Sequence, residues 1–259
     1  MDRPKSAWRE AVSPRDFPGL VAFWDMQGRG AARGATAGEA YVLEERAGTV
    51  ERVLDTGAPF GAYAAHVREG QYFGIPRSAC DRLDIHGLDG HLTVVAWVRR
   101  AQTKHGGCEF LAGQWNETEL GRQYGLFINI GVWGGSDQVC GHVSATGGAT
   151  TGYRYCMDGA IGSTPVPCDE WHVVAMSYDG IQAYAWLDGL LDARPGVNPY
   201  PMGGGLHDGG PKGSDFTVCA VDRSGEMGNF FAGLLGGLAV YDRALSPAEM
   251  WALCTPMPS

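Results

Sequence analysis

The sequence predicts an all-β domain, a sandwich or a barrel, and three observations predict it. Short apolar runs alternate with Gly, Asp and Pro along the chain, the pattern of many short strands joined by tight turns. Asp179-Gly180 and Asp188-Gly189 each separate two such segments, and Asp-Gly supplies the positive backbone angles of a two-residue hairpin turn. Forty of the 259 residues are Gly, roughly twice the usual share of ~7%. The glycines keep no three-residue period, which excludes a collagen helix. A hydrophobic content of 44% is ample for a core, which excludes global disorder.

In chain order, strands are expected over 19–24 (GLVAFW), 71–75 (QYFGI), 91–99 (HLTVVAWVR), 110–114 (FLAGQ) and 124–130 (YGLFINI). Further strands are expected over 138–144 (QVCGHVS), 170–178 (EWHVVAMSY), 181–187 (IQAYAWL), 215–221 (DFTVCAV) and 234–241 (LLGGLAVY). The two Asp-Gly turns make 170–193 a three-strand meander. Glycines inside strands (Gly125, Gly141, Gly236, Gly237) point to bulges, curvature or close approach. One helix is expected, at the end: Ser246-Pro247-Ala248-Glu249 is a capping box with Pro at the first helical position, and Met250, Trp251 and Leu253 supply its apolar side. The segments 145–168 and 194–213 read as long irregular loops, a length that often marks function. With no internal repeat and no linker, the reading is an N-terminal extension, 1–16, and a single domain, 17–259.

The formal charge of −9 repels phosphate backbones, so nucleic acid is not an expected partner. No stretch approaches the roughly 18 apolar residues of a membrane span, so no membrane partner is expected either. Seven cysteines show no CxxC or CxxH spacing, so no zinc site is signalled. The N-terminal stretch lacks the apolar run of a signal peptide, and reduced thiols in a cytoplasm are the expectation. The alternative is a secreted protein whose leader has been removed, with Cys156 and Cys168 the first pair to suspect of a disulfide. The oligomeric state is not legible.

Four runs in order, GLVAFWDMQG, LTVVAWVRR, EWHVVAMSYDGIQAYAWLDGLL and FFAGLLGGLAVYDRALSPAEM, resemble the laminin-G-like, concanavalin A-like lectin/glucanase family. The resemblance extends from about Phe17 to Leu253. It implies two antiparallel sheets packed as a jelly-roll sandwich, one of them curved into a groove, with a short C-terminal helix. It also implies carbohydrate chemistry, since the fold hosts lectins, binding modules, glycosidases and polysaccharide lyases. No cofactor is required; a structural calcium is what the family would add. Asp25 matches the early calcium-ligand position, whereas Gly236-Gly237 stands where an Asp-Glu pair is frequent.

Several groups could carry chemistry. Glu117 and Glu119 have the spacing of paired carboxylates, but they lie in a polar stretch and a solvated turn is the favoured reading. Arg122 and Tyr124 share one face of a regular strand, and Gln138 and His142 share one face of the next. Together these four would form a metal-free β-eliminating site: Arg and Gln neutralise a uronate carboxylate, His or Tyr removes the α-proton, and Tyr protonates the leaving oxygen. The structural alternative makes Tyr124 core, His142 a satisfied strand histidine and Arg122 solvated. His172, Trp171 and Trp97 read as structural. Trp115, Tyr153, Tyr155, Tyr184, Trp186 and Tyr200 are candidate platforms for a sugar ring. Small residues at 183 and 185 turn Tyr184 and Trp186 outward. The leading expectation is recognition of an oligo- or polysaccharide. A carbohydrate-active enzyme, lyase or hydrolase, is the first alternative; a structural or protein-interaction domain is the second.

Overall fold

The computed structural model describes residues 12–102, 107–118, 120–223 and 225–254. The strands of the N-terminal part are β1 (Leu20–Trp24), β2 (Ala32–Gly34), β3 (Ala37–Gly38), β4 (Val42–Arg46), β5 (Glu51–Leu54), β6 (Tyr63–Val67) and β7 (Tyr72–Ile75). The middle of the chain gives β8 (Leu92–Arg100), β9 (Glu109–Trp115), β10 (Arg122–Ile128), β11 (Gln138–Val143), β12 (Gly159–Pro165), β13 (Trp171–Tyr178), β14 (Gln182–Leu187), β15 (Leu190–Leu191) and β16 (Tyr200–Pro201). The last are β17 (Phe216–Val218), β18 (Val221–Asp222), β19 (Met227–Gly228) and β20 (Gly233–Tyr241), followed by the helix α1 (Pro247–Cys254).

The strands form the expected antiparallel sandwich. A ten-stranded sheet runs β15-β14-β13-β8-β20-β1-β3, with β16 beside β14 and β5-β6 joined to β20. An eight-stranded sheet runs β12-β11-β10-β9-β17-β7-β4-β2. Side chains alternate between faces along a strand, so each central strand divides its apolar residues. Val94, Ala96 and Val98 of β8 enter the core between the sheets, where they join Leu126, Val139, Val174, Met176 and Phe216. Val95 and Trp97 of the same strand point the other way, into a second cluster closed by α1. Burying each large side chain is worth roughly 1.5–3 kcal/mol.

The terminal helix begins as expected. The Ser246 hydroxyl accepts from the Glu249 amide at 3.3 Å, and the Glu249 carboxylate accepts from the Ser246 amide at 2.8 Å. Met250 and Leu253 are buried, but Trp251 is 44% exposed and does not belong to the apolar side. The meander is also present: Asp188 and Gly189 have φ of 51° and 79° and join β14 to β15. His172 holds that turn, its Nδ1 lying 3.0 Å from the Asp188 carboxylate. Part of the extension packs on the domain, since Tyr241 donates its hydroxyl hydrogen to the Pro14 carbonyl at 2.9 Å. The segment 145–168 is not all loop, because β12 lies inside it and pairs with β11. All seven thiols are free: Cys156 Sγ sits against the Val143 carbonyl and Cys168 Sγ against that of Ala101, so the suspected pair does not form. Among the described residues no helix is long and apolar enough to cross a membrane.

Candidate functional site

The outer face of the eight-stranded sheet, over β9, β10 and β11, carries the site. Strict alternation would put Arg122 and Tyr124 on one side of β10. Instead the ladder to β9 steps from Arg122–Trp115 to Tyr124–Gln114. Two positions of β10 there match one of β9, a bulge at Gln123 that resets the face of every later residue. Tyr124 consequently lies in the core with Leu126 and Ile128 and donates to the Leu83 carbonyl at 2.6 Å. Burial pushes its phenol well above the usual tyrosine range. Placing Tyr124 in a reacting group with Arg122 and His142 is therefore incorrect. Arg122 does stay with the outer residues, beside Trp115, where it donates to the Glu117 carbonyl and lies 3.6 Å from the Glu117 carboxylate.

Gln138 and His142 share a strand, but four residues of strand separate them by about 13 Å. Gln138 does not reach the His142 end; its Oε1 accepts from the Ser136 amide and anchors the loop before β11. His142 is 3% exposed, with its ring edge-on to Trp115 at 5.7 Å and to Phe127 at 5.5 Å. Neither ring nitrogen has an aligned hydrogen-bond partner. Burial pushes its pKa down to about 4, opposed by the Asp158 carboxylate and a loose hydrogen bond to the Asp158 backbone and assisted by Arg122. The ring is neutral at pH 7.

These rings floor a cavity of about 550 Å³. Gly125 makes the floor: a Cβ there would meet Phe127 and Phe110 at 2.8 and 2.9 Å, so only the bare backbone lets both rings lie across the sheet. One wall comes from Asn129, Ile130 and Val132, another from Arg154, Tyr155 and Met157, with Arg223, Asn229 and Cys108 completing the rim. Glu117 lines the cavity as well, accepting from Trp115 Nε1 at 3.3 Å. Glu119 lies outside the described residues. Tyr155 is 49% exposed, with the Arg154 guanidinium 5.2 Å from its ring centre. Beside it, exposed Trp133 and Tyr153 meet edge to face at 6.2 Å.

Of the candidate platforms, Trp115 and Tyr155 reach the cavity and Tyr153 stands close by. Trp115 is a floor residue, only 2% exposed. Tyr184 and Trp186 do point out of the sandwich, but on the other sheet. Trp186 is 4% exposed beneath α1, donating to the Ser177 hydroxyl at 2.9 Å, so it offers no platform. Tyr184 is half-buried and donates to Asp179 at 2.7 Å. Tyr200 donates to Asp158 at 3.1 Å and packs against the core. Sequence reasoning missed Trp133, Arg154, Arg223, Asn129 and Cys108. Trp133 had a signal, as it stands among glycines in GVWGG much as Tyr153 and Tyr155 stand in their own loop.

Asp25 accepts from the Gln27 amide at 2.9 Å, closing a turn. A side chain at position 236 would meet Pro59 at 2.6 Å, and one at 237 would meet Phe60 at 2.4 Å, so the late strand has no room for an acidic pair. Among the described residues, the one trio of metal-ligand type is Asp84, His86 and Asp208, away from Asp25.

Two antiparallel sheets packed face to face, with a cavity on the outer side of one, define a lectin-like sandwich. The model of the concanavalin A-like lectin/glucanase superfamily matches residues 81–250, and the chain belongs to that family. Among curated proteins, none matches the chain by sequence. The fold is similar to domain 4 of an extracellular arabinanase from Geobacillus stearothermophilus, solved with arabinotriose, at a TM-score of 0.52 and 14% identity, covering 91% of this chain and 98% of that one. It is also similar to part of the Trypanosoma rangeli sialidase, solved with sialic acid, at a TM-score of 0.57 and 17% identity. That match covers 92% of this chain but 33% of the sialidase.

Proposed function

We propose that the chain recognises a carbohydrate in the cavity over β9, β10 and β11. The observation that carries this reading is a cavity lined by both a half-exposed aromatic, Tyr155, and a buried histidine, His142, set among aromatic rings. A sugar presents the complement: C–H faces that stack on aromatic planes and hydroxyls that both donate and accept. Buried polar atoms are nearly always hydrogen-bonded, to protein or to water, and a sugar hydroxyl would give His142 a partner on the cavity side. Asn129, Asn229 and Thr118 add amide and hydroxyl groups at the rim. The cavity lies within the usual range for small-ligand sites. The arabinotriose and sialic acid held by the two similar structures support the reading.

An enzymatic reading has less to rest on. The lyase set lacks Tyr124, which is in the core. Paired-carboxylate hydrolysis needs a second acid, about 5–5.5 Å from the first in a retaining enzyme and about 6.5–9.5 Å in an inverting one, and Glu117 is the one carboxylate among the described lining residues.

A glycan array followed by calorimetry tests the proposal. Binding to a glycan class is expected, with affinity falling several-fold to about tenfold in Tyr155→Ala, since aromatic stacking contributes roughly 0.5–1.5 kcal/mol. Binding undiminished in both Tyr155→Ala and His142→Ala would place the sugar elsewhere and overturn the reading.

A further inference from the structure

The charge on this cavity is the reverse of the charge on the molecule. The chain has 29 acidic and 20 basic residues, and most of its arginines are matched. Arg33 pairs with Glu45, Arg77 with Asp84, Arg100 with Glu109 and Arg243 with Glu249. Arg154 and Arg223 both line the cavity and are exposed. Neither has a carboxylate partner among the described residues. The one lining carboxylate, Glu117, is already engaged by Trp115 and lies 3.6 Å from Arg122. Each free arginine is nonetheless placed. Arg154 lies over the Tyr155 ring, and the Arg223 side chain lies across Gly228, where a Cβ would meet its Cδ at 2.5 Å. They come from two separate segments, the loop before β12 and the turn after β18.

We infer that the ligand is a sugar bearing an anionic substituent, a carboxylate or a sulfate, neutralised by Arg154 and Arg223; this rests on the carbohydrate reading above. A guanidinium presents a rigid fork of donors that fits both groups in a two-point contact. Both guanidiniums reach solvent, and a neutral sugar would make no use of their charge. An acidic polymer would otherwise be repelled by the net charge of −9, so a local cationic spot gives selectivity for the acidic residue it faces.

The test is an array of matched neutral, carboxylated and sulfated glycans, with calorimetry on the strongest hits for wild type, R154Q/R223Q and R154K/R223K. Expected are hits among the carboxylated or sulfated members, the arms distinguishing which group is read. Their affinity should fall at least tenfold in R154Q/R223Q and less in R154K/R223K. Raising NaCl from 50 to 300 mM should weaken the wild type more than R154Q/R223Q. Both side chains are exposed, and unchanged melting temperatures would show that the variants fold. Neutral hits bound equally by wild type and R154Q/R223Q would overturn the inference and leave the carbohydrate reading standing. No hit of any class would overturn both.

Discussion

The outer faces of the two sheets carry similar side chains and end in different states. The ten-stranded sheet turns Trp97, Trp186 and Tyr241 outward, and the eight-stranded sheet turns Phe110, Trp115 and Phe127 outward. Over the first, α1 lays Met250, Leu253 and Cys254, all at or below 3% exposure. There the Trp186 indole finds a hydroxyl on Ser177. Over the second, loops close only part of the face, and a cavity remains above Trp115, Phe127 and His142. Aromatic content along a strand therefore does not separate a packing face from a binding face. What separates them is whether another element of the chain covers the face.

The largest expected effect breaks the covered face. Trp186→Ala removes a buried ring and a hydrogen bond, and should cost about 3–5 kcal/mol. Tyr155→Ala on the open face should change stability by less than about 0.5 kcal/mol, even though it removes a ring as well. Urea denaturation of both variants measures the contrast; similar losses in the two would erase the distinction between the faces.

A second test addresses the open face through pH. His142 has a pKa of about 4 in the folded state because burial disfavours its charge, against about 6.5 unfolded. Between these values the unfolded chain binds the extra proton, so stability must fall as pH falls. The contribution is complete above about pH 6.5 and gone near pH 4, and it amounts to at most about 3 kcal/mol. The slope of stability against pH over this window should be shallower in His142→Gln than in the wild type. Parallel slopes would mean that the ring titrates normally and that water already reaches it.

The same contrast explains what the sequence disclosed. β8, β13, β14 and β20 were legible because they are long, apolar and joined by strong turn signals. The region of β2 to β5 was not, because these strands are two to five residues long with mixed exposure. Near a sheet edge the apolar alternation that marks a strand has nothing to bury. β12 was hidden for a related reason, as its second half, Ser163 to Pro165, is exposed. That Gln138 and His142 share a face followed from period-two counting along an unbroken stretch of β11. Tyr124 failed the same count because the bulge at Gln123 inserts one residue, and no residue type there announces it. The outward face of Trp186 was correctly read from Ala183 and Ala185, which enter the core. Its burial depends on α1, some 60 residues further along the chain, and strand patterning holds no information about such a cover.

The smallest effect probes that cover without removing any apolar atom. Ser246 is the N-cap of α1, and Glu249 ties the cap to Arg243 through contacts of 3.0 and 2.7 Å. Loss of the capping hydroxyl in Ser246→Ala should cost about 1 kcal/mol, read as a small fall in the denaturation midpoint with unchanged slope. The helix lies on the ten-stranded sheet and the cavity on the outer side of the other, with the core between them. If the faces are independent, sugar affinity in Ser246→Ala stays at the wild-type value while stability falls, because distant sites without shared partners add. A weakened affinity in this variant would show that loosening α1 is felt through two sheets. The covered face would then be part of the binding machinery rather than its structural counterpart.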